Sequence, residues 1–347
     1  MKIKSLLPLF LLPFFLFAKE APPKPKEQEL FNKDDQGVII NGEFIYWNVQ
    51  EGALDYAIRM KSAAWSQTES YAQGDFERAE FNWDPGYRLS IGYNRAENFW
   101  EALAEYTCLH VEGNNRVKMI PPADEGRFIN GTFPHIFTDP IHHAKSHIHL
   151  HYKLFNLLAN RVFHPHNNPH LRLRATAGIT SVFVHQGWRV NYFDLSDNTT
   201  TIWNRWRYWG MGFRAGMGFD WFFGKDVYLS GKSSFALTMG HYHNHAKQTT
   251  SAAPRQGDDP SIPVRDARYN DYRMAFTTQF LIGPSYQKSF ADWWRFEMFA
   301  GYELTIWTNL QEVYRSTAGS PSEAKETWLN TGLVALHGLT IRASFNF

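Results

Sequence analysis

A chain of 347 residues with a net charge of +1 and a pI near 7.9 has no basic face to offer a polyanion, which excludes nucleic-acid binding. Its one cysteine, Cys108, excludes an intramolecular disulfide framework, so backbone pairing and burial must hold the fold. Aromatic residues reach 16%, with 13 Trp and 28 Phe, while mean hydropathy is −0.43, a combination that suits strands with one apolar and one polar face.

In chain order, Lys2 and Lys4 precede an apolar run from Leu6 to Phe17 that ends at Ala18. This is the layout of a secretory signal peptide, expected over 1–18 with cleavage after Ala18, and it is too short for a membrane-crossing helix. The segment 19–36, with Ala21-Pro22-Pro23-Lys24-Pro25-Lys26, reads as an extended periplasmic stretch. Residues 37–347 read as one β-barrel domain, because no later stretch is apolar for long enough to form a membrane helix.

Period-two alternation runs through that domain. Tyr87, Leu89, Ile91 and Tyr93 alternate with Arg88, Ser90, Gly92 and Asn94; Leu171 to Ile179 alternates with Arg172, Arg174, Thr176 and Gly178. The pattern returns over 211–221, 272–282 and 294–306, and a helix could not keep one wet face this way. Short links are expected at 95–98, 160–169, 224–226 and 288–292. Long ones are expected at about 64–83, 111–144, 186–205, 242–269 and 308–327. Short and long links alternate, which fits a closed antiparallel transmembrane β-barrel with short periplasmic turns and long outer loops. Taking 40–62 as one bent first strand gives ten strands, and splitting it at Glu51-Gly52 gives twelve as the alternative. At the C-terminus one parity holds from Leu329 through Leu339 and Ile341 to Phe345 and Phe347, so these two phenylalanines read as a signal to the barrel-assembly machinery.

The entry Gly42-Glu43-Phe44-Ile45-Tyr46-Trp47 with Leu54-Asp55-Tyr56-Ala57, and the ending Gly332-Leu333 through Gly338-Leu339-Thr340 to Phe347, resemble the Legionella major outer membrane protein family and its MOMP-like relatives in chlamydia-related bacteria. The resemblance implies an abundant outer-membrane surface barrel with a porin-like role. It departs from cysteine-rich, cross-linked envelope proteins, since only Cys108 is present.

Parity assigns to the lumen Arg88, Glu101, Glu105, Arg172, Arg174, Arg214, Asp220, Lys232, Arg273, Arg295, Glu297, Glu303 and Arg342, together with Arg59, Lys61 and Lys153. Cations outnumber carboxylates in that set, so a water-filled pore would favour anions modestly. The bland reading is that Arg–Glu pairs fill and stiffen a narrow barrel. His147, His149 and His151 share one strand face and are weak candidates for zinc or copper, but their spacing is too wide for tight ligation without a second element, so no metal and no cofactor are expected. Trp203, Trp206, Tyr208 and Trp209, and Trp293 and Trp294, read as interfacial girdles. There is no Gly-x-Ser-x-Gly, His-Glu-x-x-His, Cys-x-x-Cys or phosphate loop, so no catalysis is expected. The partners expected are outer-membrane lipids and the assembly machinery, with a homo-oligomer compatible but unspecified. Two functions are carried forward: passive diffusion of small polar solutes, or a structural or adhesive surface protein with a filled barrel acting through its outer loops.

Overall fold

The computed structural model describes residues 37–60, 74–95, 100–119, 129–133, 141–165, 168, 170–224, 226–251, 265–291, 294–316, 326–330 and 333–347. The expected leader and Pro/Lys-rich segment lie outside these residues. In chain order the strands are β1 (Gly37–Glu51), β2 (Asp55–Met60), β3 (Gly74–Arg78), β4 (Asp84–Arg95), β5 (Trp100–Lys118), β6 (Ile129–Gly131), β7 (Ile141–Phe163), β8 (Leu171–Asp194), β9 (Thr199–Phe222), β10 (Val227–Thr250), β11 (Arg265–Ala291), β12 (Trp294–Thr308), β13 (Glu312–Ser316), β14 (Glu326–Asn330) and β15 (Leu333–Asn346). Ten of them close a ring in the order β7-β5-β4-β1-β15-β12-β11-β10-β9-β8, with β8 pairing back to β7. Every pairing is antiparallel, and no edge of the ring is left open. The fold is all-β and the ten strands are those expected.

The expected bent first strand breaks at a corner where Ala53 takes φ 50°. Beyond it β2 leaves the ring and pairs with β3 and β6, so the corner adds no wall strand. The ring is closed by β1 against β15, with Ile39 opposite Asn346 and Glu51 opposite Val334. Val38 donates its N–H to the Phe347 carbonyl at 2.6 Å, and Phe347 donates back to Val38 at 3.1 Å.

Four strands of 23 to 24 residues, β7 to β10, make a tall wall. At about 3.3 Å per residue such a strand is roughly 80 Å long. Tilted by about 40°, it stands well over the ~25 Å apolar band of a transmembrane barrel. The wall is therefore built in two sections with opposite polarity. In the lower section, nearest the start of β1 and the end of β15, the outward side chains are apolar: Phe155 and Leu157 on β7, Ile179 on β8, Phe213 and Met217 on β9, Phe276 and Ile282 on β11. In the upper section the outward positions of β7 are Lys145, His147, His149, His151 and Lys153, and the inward ones are Ile148, Leu150, Tyr152 and Leu154. β8 does the same, turning Val182, Val184, Trp188, Val190 and Tyr192 inward.

This inversion corrects the expected loops. The segment 186–205 is not a loop; β8 and β9 run through it and meet in the turn 195–198. Parts of 111–144, 242–269 and 308–327 are likewise strand. The girdle assignment changes with it: Trp209 faces out, whereas Trp206 and Tyr208 are buried inside; Trp293 lies outside the described residues. The inward apolar side chains of the upper section join Trp47, Leu54, Tyr56, Phe81 and Leu310 in one core cluster. Each fully buried Ile, Leu or Val there contributes about 1.5–3 kcal/mol relative to exposure.

Candidate functional site: the barrel lumen

The lower lumen is polar because the inward positions of the lower wall carry the charges picked out by parity. At its centre Arg88 on β4 donates to Glu303 on β12 at 2.8 Å, to Glu43 on β1 at 2.7 Å and to the Thr107 hydroxyl at 2.8 Å, with Glu105 at 3.9 Å. Glu303, fully buried, also accepts from Gln279 and from the Thr340 hydroxyl at 2.9 Å. Glu105 accepts from Asn156 at 2.7 Å, and Arg214 donates to Ser234 at 2.8 Å and to Gln279 at 2.7 Å. Buried charges survive only when paired and hydrogen-bonded, and here three strands, β1, β5 and β12, supply the partners of one guanidinium.

Below this network lies a cavity of about 190 Å³ that reaches Asn94, His164 and Asn346 at the lower rim. Arg172 pairs with Asp220 at 2.7 Å, Arg174 with Glu101 at 3.2 Å and Arg342 with Glu297 at 2.7 Å around it, and Lys232 and Arg295 line it too. Above the network Trp307 donates to the Tyr152 hydroxyl at 3.3 Å, and the apolar core follows. Higher still, Arg273 lies 3.5 Å over the Tyr242 ring and 3.1 Å from Glu312, while Gln186 and Gln311 both donate to Glu51.

All thirteen lumen residues read from parity and named with charge pairs or cavity walls above are thus placed inside. Three carboxylates were missed, namely Glu43, Glu51 and Glu312. With them the described lumen holds Arg88, Arg172, Arg174, Arg214, Lys232, Arg273, Arg295 and Arg342 against Glu43, Glu51, Glu101, Glu105, Asp220, Glu297, Glu303 and Glu312. Cations and carboxylates balance, which removes the premise of an anion-favouring excess. Lys153 is on the outside of the wall, Arg59 is part-exposed and pairs with Glu77 at 2.8 Å, and Lys61 lies outside the described residues.

The other candidates stand on the exterior. His147, His149 and His151 point outward on the upper wall, with neighbouring ring centroids 5.8 Å and 5.7 Å apart, and His147 bonds Asn114 at 2.8 Å. The register adds His110 and His185 on the flanking strands, both opposite His151. Among the described residues no group of three or more His, Cys, Asp or Glu is arranged to hold a metal. Cys108 is a free, part-buried thiol on β5. Phe345 packs against Phe296 at 5.0 Å on the lower exterior, and both Phe345 and Phe347 are exposed there.

An apolar outer band on strands with no unpaired edge is at home only in a bilayer, and a closed ring of this kind is a β-barrel of the bacterial outer membrane. The chain belongs to the family described as Legionella pneumophila major outer membrane protein precursor, whose model matches residues 34–347. No curated protein sequence matches it. Among solved structures it is similar to the outer membrane protease OmpT of Escherichia coli, at 10% identity and TM-score 0.46, covering 90% of this chain and 96% of that one. It is also similar to OprG of Pseudomonas aeruginosa, at 8% identity and TM-score 0.27, covering 89% and 98%. A third is a Pseudomonas aeruginosa FadL homologue, at 8% identity and TM-score 0.25, covering 90% of each chain. The end with the short links and both β1 and β15 termini is assigned to the periplasm, and the upper section to the cell exterior.

Proposed function

We propose that this protein is a closed outer-membrane barrel that acts through its tall cell-surface section, and not an open diffusion pore. One observation carries the reading: the described lumen is blocked twice, by the Arg88–Glu43–Glu303 network and by the apolar core above it. A passive pore for polar solutes needs a continuous wet path, and a dry cluster with Ile148, Leu150, Val182 and Val190 fully buried offers none. Refolded protein in a planar bilayer is expected to give no stable conductance steps at moderate voltage, and proteoliposomes are expected not to swell in small sugars. Stable steps from wild-type protein would reject the closed reading.

A second reading, a narrow channel for small ions and polar solutes that is shut at rest, is favoured by the charged cavity facing the periplasm. The near balance of cations and carboxylates lining it, Arg88, Arg172, Arg174, Lys232, Arg295 and Arg342 against Glu43, Glu101, Glu105, Asp220 and Glu297, argues for weak ion selectivity in place of the anion preference expected from sequence. Under that reading, Glu303→Gln and Arg88→Met should raise open probability, measured by single-channel recording in a salt gradient. The closed-barrel reading expects silence from both.

A further inference from the structure

The outer wall of β7, β8, β9 and β10 carries a feature that neither the lumen nor a closed barrel requires. Pairing register aligns two rows of outward side chains across these strands. The lower row is Lys153, Phe183, Trp209 and His241, each opposite the next. The row one step up is His151, His185, Arg207 and His243. Below them the same faces are apolar, with Phe155, Ile179, Met211 and Leu237 exposed. The rows therefore mark where an apolar exterior gives way to a cationic one, which on a membrane barrel is the level of the lipid headgroups.

An outward groove of about 600 Å³ opens at this boundary. Phe183 and Trp209 form its apolar floor, their rings 6.1 Å apart, and Lys153, Arg207, His185 and His243 stand around it. Lys153 and Arg207 are two strand spacings and one row apart, about 12 Å, so two long side chains can converge on one headgroup. The two carboxylates near this flank already have partners: Glu112 with His110 at 2.8 Å and Asp266 with His245 at 2.9 Å. The patch is one-sided. The upper outward positions of β1, β12 and β15, such as Asn48, Gln50, Ile306, Ala335 and His337, carry no Lys or Arg among the described residues.

We propose that this groove is a binding site for a phosphorylated lipid of the outer leaflet, its phosphate held between Lys153 and Arg207 and its acyl chains laid over Phe183 and Trp209. Charge complementarity selects the phosphate, because Arg and Lys pair with it while the two nearby carboxylates are engaged. The apolar floor immediately beneath selects a lipid over a free anion. The site concerns the exterior alone and stands whether or not the lumen conducts.

The test uses the folded full-length barrel in detergent, with native mass spectrometry reading bound copies. The probes are diphosphoryl lipid A and the same lipid stripped of phosphate. Wild-type protein is expected to bind one copy of the phosphorylated lipid at least 10-fold more tightly than the dephosphorylated one. The double variant K153Q/R207Q is expected to lose that preference, and the control pair K247Q/R268Q, higher on the wall, to keep it. Millimolar inorganic phosphate is expected not to displace the lipid. Equal binding of both lipids by wild type, an unchanged preference in K153Q/R207Q, or displacement by inorganic phosphate would each overturn the site. The wild-type comparison needs no mutation, and the variants' folding is checked by their heat-modifiable migration on gels.

Discussion

Arg88 shows what a single side chain does in this lumen. It neutralises Glu43 and Glu303 directly and has Glu105 nearby, all of them almost fully buried. Replacing it by Met leaves those carboxylates without their counter-charge, and losing one partner of a buried pair costs about 3–5 kcal/mol. Urea unfolding of R88M in detergent micelles should show an unfolding free energy lowered by that amount, seen as a lower midpoint, and adding Glu303→Gln should restore part of it; an unchanged midpoint would mean the network does not hold the barrel. Arg88, Glu105 and Glu303 were legible in the sequence because each sits opposite apolar neighbours of clear parity. Glu43 was not, because Phe44-Ile45-Tyr46-Trp47 is apolar on both parities: Phe44 and Tyr46 face out, while Ile45 and Trp47 pack inside.

At the scale of the strand, the same ambiguity explains why the wall was underestimated. Alternation was legible wherever the apolar parity faces out, and it was lost where the strand continues with apolar side chains turned in. On β7 the change falls between Phe155, which faces out, and Leu154, which faces in. Ile148→Ala should therefore destabilise the barrel by about 2–5 kcal/mol through a cavity in the upper core. Its neighbour His149→Ala, on the outer face, should stay within about 0.5 kcal/mol. Thermal unfolding followed by gel migration separates the two, and a reversed order would invert the face assignment. The β8–β9 turn offers a topology test. Asp194 holds it by accepting from the Ser196 and Asn198 amides at 2.9 Å and 2.8 Å, and Asp197 takes φ 62°. In a Cys108→Ser background, Ser196→Cys should be labelled on intact cells by a membrane-impermeant maleimide, whereas Asn168→Cys, in a link at the opposite end, should be labelled only after the outer membrane is permeabilised. Labelling of Asn168→Cys on intact cells would turn the barrel over.

For the whole molecule, the decisive feature is the seam between β1 and β15. Ring membership of ten strands was legible from alternating link lengths, but the pairing that closes it was not, since no local pattern tells the first strand to find the last. Phe347 contributes two backbone hydrogen bonds with Val38 at the lower rim of that seam. Removing Phe347 should slow closure and lower the amount of folded barrel recovered from outer membranes several-fold, measured by the heat-modifiable band; full recovery would assign those bonds no part in assembly. Because Ile39 meets Asn346 only after nearly the entire chain has been delivered, the seam works as a completeness checkpoint. A chain cut short before β15 keeps two bare strand edges, and bare edges invite pairing with other chains or removal by proteases. A defect anywhere that delays the last strand is thus converted into one visible state, an unsealed sheet, and quality control need recognise nothing else.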